Sequence, residues 1–166
     1  YNIGKESVAF KLEGNSLEFK GTTGNINISG TDSVAYILTG TGRAVTQFNS
    51  TGASTNFIDN LVLNSNGNKY TYISMKDATL NYENTKTISS DGSIFINADN
   101  SDVNLMSNSD IRSVNKGVIG VYSTGNSITN NSIKNVGRIE LTGNDSTSIY
   151  WNISTVTNGI NGIIKI

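Results

Sequence analysis

Residues Gly24 to Tyr36 read G-N-I-N-I-S-G-T-D-S-V-A-Y, and residues Gly137 to Tyr150 read G-R-I-E-L-T-G-N-D-S-T-S-I-Y. Each begins with Gly, runs through an alternating apolar pair, turns on Gly and Asp-Ser, and ends in a second short apolar run closed by Tyr. A chain that returns to one local pattern is stacking a unit, and the length of that unit limits what it can fold into. Gly92, Gly117, Gly137 and Gly162 each open a further apolar alternation. Ser7 to Phe10 recurs as Ser33 to Tyr36, and Ser127 to Asn130 recurs as Thr155 to Asn158. The repeat is degenerate, with a period of roughly 20 to 28, in the range of solenoid units.

Within one such interval, Gly137 to Asn161, three strand-like runs lie between polar turns: Ile139 to Leu141, Ser148 to Trp151 and Thr155 to Thr157. No helical period intervenes. Three short strands per coil predict an all-β chain folded as a single-stranded parallel β-helix. Each strand pairs with its counterparts one coil away, at a spacing of ~4.8 Å. The preference of parallel crossovers predicts a right-handed coil. The chain length then predicts six to seven coils. A left-handed hexapeptide helix would need a shorter, stricter period. Alternation points Ile26, Ile28, Ile94, Ile96, Ile139, Leu141, Ile164 and Ile166 inward, and Asn27, Phe95, Glu140 and Lys165 outward.

Composition supports a sheet with few edges. The chain has no Pro, a residue that cannot donate to a strand ladder. Asn, Ser and Thr make up roughly two-fifths of the residues, which alone would fit disorder, but regularly placed Ile favours strands. Asn and Gly suit tight corners because both tolerate left-handed backbone. There is no Cys, hence no disulfide or thiolate site, and no His, the commonest general base. Twelve basic and 13 acidic residues are dispersed, which leaves no basic footprint for nucleic acid or an anionic membrane. No apolar run has the length of a membrane span. Tyr1 opens without a signal peptide and Gly162 to Ile166 reads as a fresh strand, so residues 1–166 are expected to be one segment of a longer chain.

The stretch from about 41 to 90 follows the repeat poorly. It keeps strand-like runs at Phe57 to Leu63, Tyr70 to Met75 and Ala78 to Tyr82, split by the polar Asn64 to Lys69. This is read either as a long corner or as a loop carrying specificity, since loops on rigid frames often do so. Asn64, Asn66, Asn68, Lys69, Tyr70 and Tyr72 are therefore the candidate partner-binding residues. The alternative reading of the same tyrosines, with Tyr82 and Phe57, is a stacked aromatic ladder along one face. Trp151 reads as core or rim packing.

Catalytic and metal readings are weaker. Asp99-Asn-Ser-Asp102 lacks calcium-loop spacing and its terminal Glu, and turn capping accounts for it. The sequons at Asn27, Asn49, Asn130, Asn144 and Asn152 arise by chance in a chain of this composition. No Asp or Glu pair recurs at facing positions, as a glycosidase would need. No catalytic residue, metal site or cofactor is predicted.

The alternation G-x-I-x-I/L and the turn G-x-D-S resemble the passenger repeats of large fusobacterial type V autotransporter adhesins. Gly24 to Tyr36, Ser127 to Trp151 and Thr155 to Ile166 carry the resemblance. It implies a monomeric cell-surface stalk, held at the outer membrane of a Gram-negative bacterium by a C-terminal barrel. Such a stalk would mediate host-cell adhesion or coaggregation by binding a host receptor protein, a surface glycan or a partner bacterium. The alternatives are a β-helical polysaccharide-processing enzyme and a trimeric adhesin head, the latter hinted at by Ser7-Val-Ala-Phe and Ser33-Val-Ala-Tyr.

Overall fold

The structure, a computed structural model, describes residues 2–13, 17–18, 24–39, 48–49, 61–127 and 131–166. Strands come in threes along the chain. The first coil holds β1 (Asn2–Ile3), β2 (Val8–Glu13) and β3 (Leu17–Glu18), and the second β4 (Gly24–Ile28), β5 (Ser33–Thr39) and β6 (Phe48–Asn49). Then follow β7 (Leu61–Asn64), β8 (Tyr70–Lys76) and β9 (Thr79–Tyr82), and β10 (Thr85–Thr87), β11 (Ile94–Asp99) and β12 (Asp102–Leu105). The last groups are β13 (Asp110–Ser113), β14 (Ile119–Thr124) and β15 (Ser132–Asn135), then β16 (Arg138–Leu141), β17 (Thr147–Trp151) and β18 (Thr155–Asn158), with β19 (Ile163–Lys165) opening another turn.

Every strand pairing is parallel, and each joins a strand to its counterpart one coil away. The protein is a parallel β-solenoid. Among the described residues, one face is continuous, the six-stranded sheet β17-β14-β11-β8-β5-β2. Five pairings join those six strands, so the stack makes about five turns rather than the expected six to seven. The other faces are interrupted: β1-β4-β7 and β10-β13-β16-β19 form separate sheets, as do β3-β6 and β18-β15-β12-β9.

The coil length is less even than the glycines suggest. Register partners along the continuous sheet are Val8, Val34, Thr71, Ile94, Ile119 and Thr147, and the step from Val34 to Thr71 is much the longest. The short step from Gly117 to Gly137 compares two different corners. Gly117 stacks on Gly92, at 3.8 Å from where a Cβ would sit, and the residue at the same corner of the next coil is Asp145. The long coil carries the irregular middle. Its extra length falls between the described parts of β5 and β7, and Phe57 lies outside the described residues.

One corner explains the repeated Asp-Ser. The residue two places before each register partner adopts left-handed backbone ahead of five of the six strands: Glu6 (φ 53°), Asp32 (58°), Gly92 (64°), Gly117 (64°) and Asp145 (58°). Asp and Gly tolerate that region better than other residues do. The Ser that follows ties coil to coil. The Ser33 hydroxyl donates to the Gly4 carbonyl at 2.5 Å. The Ser93 and Ser146 hydroxyls accept from the Tyr70 and Val118 amides at 3.1 and 3.2 Å.

Inside, Ile26, Ile28, Ile96, Ile139 and Leu141 are fully buried, as alternation predicts. Phe95 corrects it. Phe95 is 1% exposed and Ile94 only half-buried, the reverse of the expected facing. The strands β5, β8 and β11 bend, so two consecutive residues face the lumen: Ala35 and Tyr36, Tyr72 and Ile73, Phe95 and Ile96. The bend breaks the period of two and makes room for an internal aromatic run. Phe10 stacks on Tyr36 at 5.2 Å, Tyr36 meets Tyr72 edge-on at 5.4 Å, and Tyr72 stacks on Phe95 at 5.0 Å, all within the range of favourable ring pairs. The next residue in this column is Gly120. A Cβ there would come within 2.5 Å of the Ser148 carbonyl oxygen, so no side chain continues the aromatics past Phe95.

Ile164 and Ile166 also depart from expectation. Ile164 continues the column Ile111-Ile139 in register, yet it is 41% exposed and Ile166 71%, because among the described residues no strand pairs onto the outer edge of β19. Trp151, partnered with Ser123, is exposed for the same reason at the end of its sheet.

Candidate functional site

The polar stretch Asn64 to Lys69 forms a corner of ordinary length. Asn27 pairs with Asn64 and Ser33 with Tyr70, so both coils take the same number of positions over this step and nothing is inserted. Asn64 extends a ladder on the outer surface. Its side-chain amide donates to Asn27 at 2.9 Å, and Asn27 donates to Asn2 at 2.8 Å. Asn66 and Gly67 make the turn with φ of 50° and 81°. The Asn68 amide group fastens it by donating to the carbonyls of Ser65 at 2.9 Å and Ile28 at 3.1 Å.

Tyr70 and Tyr72 do not belong to this surface. Both are buried, because they begin the strand at lumen-facing positions, and they line the interior instead. Burial pushes the Tyr70 hydroxyl up to about 12, with the neighbouring Ser89 only partly opposing it. Beside Tyr72, the Lys86 ammonium sits 5.5 Å from the ring centroid, in the same column as Ile111. Of the six residues, the corner therefore exposes Asn64, Asn66 and Lys69 and half-buries Asn68.

A second surface feature lies on the outer face of β13 and β16. Thr87, Arg112, Ser113, Val114, Glu140 and Thr142 line a groove of about 350 Å³. Register places Thr87, Arg112, Glu140 and Lys165 in one outward column, with Thr85, Asp110 and Arg138 beside it. The Arg112 guanidinium donates to Asp110 at 2.8 Å. Glu140 accepts from Arg138 and, at 2.5 Å, from the Lys165 ammonium. Those bonds hold the Glu140 carboxyl down to about 2, Lys165 contributing most and Arg138 next. The groove thus offers fixed charges of both signs, hydroxyls and the exposed apolar side chain of Val114, a set whose chemistry suits a polar ligand. The sequence does carry a signal for it. Asp110-Ile-Arg112 and Arg138-Ile-Glu140 repeat with inverted sign, but their juxtaposition depends on the register of that coil.

On the next face, Asn81, Asn104, Leu105, Met106, Lys134 and Val136 line a smaller groove of about 240 Å³, floored by the Asn104 to Asn81 side-chain bond at 2.9 Å. Asp99 to Asp102 acts as a turn. Asn100 takes left-handed backbone (φ 48°) and donates to Asp77 at 2.5 Å, Ser101 donates to the Asp99 carbonyl at 2.7 Å, and Ser132 donates to Asp102 at 2.6 Å. Among the described residues, no group of three or more His, Cys, Asp or Glu is arranged to hold a metal ion. Comparison with protein families, with curated proteins and with solved structures finds no match.

Proposed function

We propose that this chain is a binding and spacing segment of a bacterial cell-surface adhesin, carried on a passenger anchored through a C-terminal barrel outside residues 1–166. It would attach the cell to a host receptor protein, a surface glycan or another bacterium. The observation that carries this reading is the outward groove of Thr87, Arg112, Glu140 and Thr142 on a rigid parallel stack. Its side chains are held in place by neighbouring strands, so little ordering cost falls on a ligand. The Asn2-Asn27-Asn64 ladder adds a second rank of amide groups, turned outward and spaced by the strand repeat. The repeat motifs that resemble fusobacterial passengers support the same reading.

The test is a glycan array and a receptor-protein array run beside a polysaccharide-cleavage screen, with the native chain and Arg112→Ala. Binding by the native chain, weakened in the variant and without bond cleavage, is expected. Cleavage of any polysaccharide would instead favour the β-helical enzyme. Binding that survives Arg112→Ala but fails in a Lys69→Ala, Asn64→Ala variant would move the site to the corner.

A further inference from the structure

Three Asn-Gly pairs occur, at Asn66-Gly67, Asn158-Gly159 and Asn161-Gly162. Gly leaves the following amide nitrogen unhindered, so each pair can close on itself. The Gly nitrogen attacks the Asn side-chain carbonyl carbon, ammonia leaves, and a five-membered succinimide forms. Water then opens the ring at either carbonyl, giving aspartate or isoaspartate, with no external oxidant, reductant or enzyme. The reaction needs a free Asn amide group and a free Gly N–H.

The fold treats the three pairs differently. Asn158 is clamped: its side-chain oxygen accepts from Asn135 at 2.8 Å and its NH₂ donates to the Gly162 carbonyl at 2.9 Å. The Gly159 N–H is also committed, to the Asn135 carbonyl at 2.8 Å. Asn161 is exposed, but its nucleophile is not available, since the Gly162 N–H donates to the Gly159 carbonyl at 2.8 Å. At the third pair both requirements are met. Asn66 and Gly67 are exposed, and no atom lies within 4 Å of where a Gly67 Cβ would stand. The turn is closed one residue later, by the Asn68 N–H to the Ser65 carbonyl at 2.9 Å, so the Gly67 N–H remains outside it.

We infer that Asn66 is a self-modification site, the one Asn-Gly pair that the folded solenoid leaves competent to lose ammonia. The product places a new carboxylate on the exposed corner beside Lys69, and as isoaspartate it adds a methylene to the main chain within the left-handed turn. An aged surface therefore differs from a fresh one first at this corner, before it changes beside β18 or β19.

The experiment incubates the native chain and the urea-unfolded chain at mildly alkaline pH and follows all three sites by peptide mapping, with fragmentation that separates isoaspartate from aspartate. In the unfolded chain the three pairs should convert at comparable rates. In the folded chain Asn66 should convert first. Each hydrogen bond that must break slows its site about three- to tenfold, so Asn161 should lag by that factor and Asn158 by more. Conversion of Asn161 or Asn158 in the folded chain as fast as Asn66 would overturn the inference, as would protection of Asn66 equal to theirs.

Discussion

Individual residues carry the corners, and one of them violates the rule the others obey. Left-handed backbone falls on Glu6, Asp32, Asn66, Asp77, Asn100 and Asp145, but also on Ile153 (φ 54°). A β-branched residue meets a steric penalty there. Ile153 is half exposed, so its side chain returns little through burial. Ile153→Asn should raise stability by about 1 kcal/mol, measured as a higher urea midpoint; a lower midpoint would mean that its packing outweighs the backbone strain. Glu140 supplies a pH dependence. Its carboxyl sits near 2 in the fold against an ordinary 4.5, so its ion pairs stabilise the native state above pH 4.5. That contribution is lost as pH falls towards 2. Glu140→Gln should lower the urea midpoint at neutral pH and converge with the native chain near pH 2. Equal midpoints at neutral pH would show that Lys165 and Arg138 gain nothing from it.

At the scale of the strand, most of the architecture was legible, and the failures have one cause. Three short runs between successive glycine markers pointed to the three-strand coil, and alternation placed Ile26, Ile28, Ile139 and Leu141 correctly in the lumen. Alternation assumes a straight strand. β5, β8 and β11 bend, so Phe95 and Tyr72 turn inward, and Tyr70 follows as the first lumen position of its strand. That is why an aromatic cluster read either as partner-binding or as a stacked ladder proves to be a ladder inside the core. Polar composition made Asn64 to Lys69 look like an inserted loop. Its length was unreadable until the Asn27 to Asn64 register was known. The groove at Arg112 and Glu140 escaped for a related reason, since neighbours across coils are distant in sequence. The column assignment predicts a sharp contrast between adjacent residues. Ile139→Asp should cost several kcal/mol by burying an unpaired carboxylate, while Glu140→Asp, on the outer face, should shift the melting temperature only slightly. Similar losses in both variants would contradict the register of β16.

For the molecule as a whole, stability depends on stacking. Most contacts join residues a coil apart, as in other solenoids where each repeat leans on its neighbours. Buried Ser33, Ser93 and Ser113 bond between coils, so strands, corners and core all hold the same register. On the proposed adhesin reading, a stack held this way would present the groove away from the cell. The absence of Cys also allows a direct test of the stack. Ser74 and Asn97 are register partners in adjacent coils, about 4.8 Å apart, within the span a disulfide needs. Ile37 pairs with Ser74 and therefore lies two coils from Asn97, roughly 10 Å away. Cysteines should be placed at 74 and 97 in one variant and at 37 and 97 in another, and both oxidised under native conditions. The parallel solenoid predicts rapid, near-complete intramolecular cross-linking of the first pair and none of the second. Cross-linking of the second pair, or failure of the first in a folded chain, would contradict the stack.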